Sequence, residues 1–120
     1  MKTIQHTIGG KEQTLDVGKM WFSKYFGEAT KSDPILNFNE LLTDTAKQYD
    51  FVCALVYAGV NCYNKANKIN EFVMLETVND WVGSMEDAEA GSLINKYVSV
   101  LNEAKGEVQP QVESPLPGTN

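Results

Sequence analysis

The stretch from Phe51 to about Asn64 constrains the fold more than any other part of the chain. Phe51, Val52, Leu55, Val56, Gly59, Cys62 and Tyr63 recur at helical spacing and form one broad stripe, while Cys53, Tyr57 and Val60 lie on the opposite side. A helix that is apolar around most of its girth must be covered on two sides. The first reading is a central helix wrapped by the remaining elements. The second makes Tyr57 and Val60 a partner surface or an oligomer seam, and these two residues are the candidate partner-binding pair.

The segments around it supply the covering. Thr3 to Ile8 and Lys11 to Val17 read as a β-hairpin joined by Gly9-Gly10, a pair able to take the positive φ angles of a two-residue turn. That turn pairs Ile8 with Lys11 and Ile4 with Leu15. Ile4, Ile8, Leu15 and Val17 then share one face, and Thr3, Thr7, Glu12, Thr14 and Asp16 share the other. After Gly18, a short helix over Lys19–Thr30 carries an aromatic stripe of Trp21, Phe22, Tyr25 and Phe26 with Ala29, read as a core anchor in preference to a ligand-stacking box.

Ser32-Asp33-Pro34 predicts the start of another helix, with Asp33 capping free amides and Pro34 in the first turn. This helix runs to about Tyr49, and Asp50 reads as a junction or second cap before the central helix. Asn64 to Asn70 reads as a polar connection. A helix over Val73–Met85 places Leu75, Val78, Trp81, Val82 and Met85 on one face. The last helix, Ala88–Lys105, turns Leu93, Ile94, Tyr97, Val98, Val100, Leu101 and Ala104 inward.

From Gly106 the periodicity stops, and three prolines and two glycines fill the remaining residues. The expected organisation is one domain over residues 1–105, with the hairpin at 2–17, and a flexible Pro-rich tail over 106–120. The fold class is therefore mainly α: an N-terminal β-hairpin followed by a compact bundle of about five helices.

Charge and composition narrow the function. The ten cations are all lysine, with sixteen acids and a net charge of −6. A phosphate-gripping surface normally needs clustered basic residues and arginine forks, so no nucleic-acid partner is expected. No apolar run is long enough to span a bilayer, and the first ten residues have no signal-peptide core, so no membrane partner is expected. The charge is uneven. Residues 1–70 hold eight lysines and seven acids, whereas residues 71–107 hold two lysines and eight acids. The acidic half serves solubility in one reading and meets a basic partner in another.

Chemistry-bearing residues are few. Cys53 and Cys62 sit nine residues apart in one helix, on opposite faces and roughly 13 Å apart along the axis, too far for a disulfide. They read as buried thiols in a reducing cytosol. His6, the only histidine, sits in a strand, and one histidine with two back-to-back cysteines makes neither a zinc site nor a nucleophile–base pair. No phosphate-binding glycine loop and no calcium-loop pattern occurs. The expectation is no catalytic residue, no metal and no cofactor: the chain is not an enzyme.

Several segments resemble those of bacteriophage tail assembly chaperones. The opening T-I-Q-H-T-I-G-G-K-E-Q-T-L-D-V-G is followed by an aromatic short helix, then D-P-I-L-N-F-N-E-L-L-T-D-T-A-K and D-F-V-C-A-L-V-Y-A-G-V-N-C-Y-N. The segment V-N-D-W-V-G-S-M and the final I-N-K-Y-V-S-V-L-N-E-A complete the pattern, with Gly59, Tyr63 and Trp81 as marker residues. The resemblance spans residues 3–105 and lies in hydrophobic patterns, not in a chemical signature. It implies a small, mostly helical, non-catalytic protein that binds the tape measure protein and tail tube subunits during tail assembly. It also implies residence in the cytoplasm of the bacterial host and absence from the finished virion, and it leaves room for self-association. The rival reading is a small cytosolic adaptor or immunity-type inhibitor that blocks one partner.

Overall fold

The structure, a computed structural model, describes residues 2–31 and 46–108. It is mainly α-helical and begins with an antiparallel hairpin of β1 (Thr3–Ile8) and β2 (Lys11–Asp16). Four helices follow among the described residues: α1 (Met20–Thr30), α2 (Ala46–Ala66), α3 (Leu75–Gly83) and α4 (Asp87–Val108). The expected helix from Asp33 falls largely on residues 32–45, outside the described residues.

The hairpin has the register that its turn dictates. Ile8 faces Lys11 and Ile4 faces Leu15. Gly9 and Gly10 have φ of 66° and 86°, the left-handed pair of a two-residue turn. Ile4, Ile8 and Leu15 are buried on the inner face. Asp16 departs from the expected pattern, because it is buried on the face that alternation assigns to solvent. Its Oδ1 accepts the Gly18 N–H at 3.0 Å and its Oδ2 lies 3.7 Å from Lys19 Nζ, so the carboxylate closes the turn into α1.

α2 is the centre of the molecule. Every residue from Phe51 to Cys62 is buried, and α1, β2, α3 and α4 all pack against it. The helix does not break at Asp50, where a junction was expected. Ala46 to Tyr49 contain no glycine or proline, and an interior aspartate costs a helix at most about 0.7 kcal/mol. Tyr49 also ties the first turns of α2 to α3, its hydroxyl donating to the Asn79 carbonyl at 3.2 Å.

α2 runs through Asn64 to Ala66, two residues past its expected end. It stops in a Schellman arrangement. Lys68 takes the left-handed conformation at φ 57°, its N–H bonds the Lys65 carbonyl, and the Ile69 N–H bonds the Asn64 carbonyl. The chain then crosses to α3, which begins at Leu75 and not at Val73. α3 ends at Gly83, and α4 continues through Gly106 to Val108, past the expected start of the tail. A glycine near a helix end weakens it by about 1 kcal/mol without terminating it.

The aromatic stripe of α1 divides. Phe22 and Phe26 are buried, and Phe26 meets Phe51 with ring centroids 5.7 Å apart. Trp21 is exposed, and Lys65 Nζ stands 5.2 Å from its ring centroid. On α4, Leu93 and Tyr97 reach the core, and on α3 Val78 and Val82 do so. No helix among the described residues is long and apolar enough to cross a membrane.

Candidate binding groove along the second strand

A two-stranded sheet has two edges, and this one treats them differently. In an antiparallel pair closed by a two-residue turn, Ile8 and Lys11 exchange hydrogen bonds, and the bonded pairs alternate from there. The backbone groups of Gln5 and Thr7 on β1 and of Glu12 and Thr14 on β2 therefore point away from the partner strand. On β1, α4 packs beside that edge and Lys96 Nζ donates to the Gln5 carbonyl at 2.8 Å, while no hydrogen bond among the described residues reaches the outward groups of Thr7 near the turn. On β2, no hydrogen bond among the described residues reaches the outward groups of Glu12 and Thr14. Bare strand edges are templates for another strand.

This open edge forms one wall of a groove of about 530 Å³. Lys11 to Thr14 line that wall. Val60, Tyr63 and Asn64 of α2 form the floor, and Ile69, Phe72, Val73 and Met74 form the far side. A second recess of about 610 Å³ shares Thr14 and Tyr63 and reaches Lys2 and Lys19 at the other end of β2. Ile69, Phe72 and Met74 are 41%, 52% and 61% exposed, an apolar rim facing a strand edge. Trp81 closes the end near the turn. Its ring lies so near Gly9 that a Cβ there would sit 2.6 Å from it.

The far wall is held by asparagines that sequence reasoning passed over. Asn61 is 2% exposed within the most apolar helix. Its Oδ1 accepts the Val73 N–H at 2.8 Å, and its Nδ2 donates to the carbonyls of Val73 at 2.9 Å and Tyr57 at 3.0 Å. Asn64 Nδ2 donates to the Glu71 carbonyl at 3.4 Å. The signal was present: a lone amide in a buried run must find partners, because an unpaired one costs about 1–3 kcal/mol.

The structure places Tyr57 and Val60 inside the chain, 8% and 4% exposed. Tyr57 lies among Tyr25, at 6.2 Å, and Phe72, at 5.8 Å with the rings perpendicular. Val60 lies on the groove floor. Phe72 and Tyr25 both stand against the Tyr57 ring and leave little of it to a partner. The two-sided burial of α2 is thus met within the molecule.

The reactive groups are quiet. Cys53 and Cys62 are free, and burial pushes both thiols up to about 11. His6 Nδ1 lies 3.1 Å from Lys96 Nζ, an arrangement in which the ring nitrogen accepts and the ammonium donates. Burial first and the Lys96 charge second hold the His6 pKa below its ordinary value, against an opposing pull from Glu89. Among the described residues, no three His, Cys, Asp or Glu side chains stand close enough to share a metal ion.

Comparison with known proteins adds no assignment: no family model, curated protein or solved structure matches the chain.

Proposed function

We propose that this chain is a non-enzymatic assembly chaperone that holds extended segments of a client protein in the groove along β2. The observation that supports this reading most is the open edge of β2 facing the exposed side chains of Ile69, Phe72 and Met74. A client strand laid there takes main-chain hydrogen bonds from Glu12 and Thr14 and sets alternate side chains against the apolar rim. Raised, buried thiols and a histidine engaged by Lys96 favour binding over catalysis. The tape measure and tail tube proteins enter as clients through the sequence resemblance alone, and so do a bacterial cytoplasmic location and absence from the virion.

The test is co-expression of the tagged full chain with a phage tape measure protein and a phage tail tube protein. The wild type is expected to co-purify with one or both. Thr14→Pro removes one outward N–H and leaves the β1–β2 ladder intact, since proline is tolerated where the N–H faces away from the sheet. It is expected to lose the client and keep its fold. Co-purification undiminished by Thr14→Pro removes the groove from the account. Failure to bind either tail protein moves the reading to an adaptor with another partner.

A further inference from the structure

Residues 67–74 cross from α2 to α3 as a strap outside helix and strand; the first three bond back to α2 through their backbone N–H groups, and the middle of the strap has no backbone ladder to hold it. Asn61 binds both the N–H and the carbonyl of Val73, and Asn64 reaches the Glu71 carbonyl. The Phe72 ring stands edge-on to Tyr57 and lies 5.9 Å from Tyr25. The strap keeps Ile69, Phe72 and Met74 largely in solvent while it shields Tyr57, which is nearly buried. Of its apolar side chains only Val73 is partly buried against the core, and between the backbone-bonded ends at Ile69 and Met74 side-chain amides supply its polar attachment to the rest of the molecule. Segments with few buried contacts and exposed hydrogen bonds open at lower free energy than the core.

We propose that this strap opens as a unit while the rest of the molecule stays folded. Its release presents Tyr57, Val60 and the Asn61 amide as a docking face for an extended partner segment with an aromatic side chain. The strap itself displays the required complement. One residue offers its N–H and carbonyl to a single amide, and the residue before it sets an aromatic ring on Tyr57. The docking face deepens the protein-binding reading above, whereas the opening of the strap stands without it.

Native-state hydrogen exchange on the full chain tests the opening. The Val73 N–H is expected to exchange at least about 100-fold faster than the amides of Leu55 and Val56. Asn61→Ala widens that ratio further. Equal opening free energies for Val73 and the α2 amides overturn the proposal, because the strap then moves only when the whole molecule unfolds. The docking face is tested in the Phe72→Ala chain, which keeps Asn61, with a synthetic peptide of residues 68–75 as the probe. The Tyr57 ring signals are expected to shift saturably with this peptide and not with one carrying alanine in place of the phenylalanine. No shift, or the same shift with both peptides, overturns the docking face. Because the strap is also the far side of the groove, the peptide titration is repeated with Thr14→Pro in the same chain: a Tyr57 shift that survives this change belongs to the docking face, and one lost with it belongs to the β2 edge and overturns the docking face.

Discussion

Gly59 of α2 and Leu15 of β2 meet so closely that a Cβ on Gly59 would lie 2.5 Å from Leu15 Cβ and 3.1 Å from its Cα. The absent side chain lets the hairpin lie directly on the central helix. This contact fixes β2, and through β2 the groove.

Gly59→Ala is therefore expected to destabilise the protein by about 1–3 kcal/mol, although alanine is the better helix former by about 1 kcal/mol. Leu15→Ala leaves the offending Cβ and Cα in place and opens a cavity, at a cost of about 2–5 kcal/mol. The double variant is expected to lose at least as much as the worse single change. Recovery of stability in the double variant, measured by chemical denaturation, contradicts this geometry.

Lys68 carries a left-handed backbone at the end of α2, a conformation that costs an ordinary residue about 1–2 kcal/mol. Glycine avoids that strain at some entropic cost. Lys68→Gly is expected to raise stability by about 0.5–1 kcal/mol and the melting temperature by a few degrees. A lower melting temperature would show that the Lys68 side chain makes a contribution absent from this arrangement.

His6 gives a pH dependence with a definite sign. Its folded pKa lies below the ordinary 6.5, so the folded chain binds fewer protons than the unfolded chain between the two values. The contribution of His6 is complete above about pH 6.5 and is lost as the pH falls from there through the folded pKa. Wild type is thus expected to lose more stability between about pH 7.5 and about pH 5.5 than His6→Gln does, the carboxylates being common to both. Lys96→Met is expected to raise the His6 pKa without restoring it, because burial is the larger cause and remains. An NMR titration of the ring reads both.

The thiols supply a further check. With both cysteines pushed up to about 11, thiol reagents are expected to label the folded chain on the order of 100-fold more slowly than the denatured one. Rapid labelling of either cysteine at neutral pH would contradict the packing of α2.

The elements legible in the sequence were those with local causes. Gly9-Gly10 dictated the hairpin register, and the apolar runs located α2, α3 and α4. What escaped depended on distant partners. Asp16 reads as a solvent-facing strand residue until Gly18 and Lys19 fold back to it. Val73 reads as the first residue of a helix until Asn61, twelve positions earlier, binds its N–H and carbonyl outside the helix. Tyr57 and Val60 are identifiable as the second apolar side of α2, but not as a ring packed against Phe72 and a residue on the groove floor. The groove itself has no motif, because its polar elements are backbone groups on a strand edge, and these leave no trace in side-chain pattern.

The most direct test is hydrogen exchange at Glu12 and Thr14 with and without a bound segment of the client proposed above. These two outward amides, open in the free protein, are expected to become strongly protected in the complex, with a smaller effect at Gln5 on the edge beside α4. Protection that appears elsewhere while Glu12 and Thr14 exchange unchanged would contradict strand addition on β2.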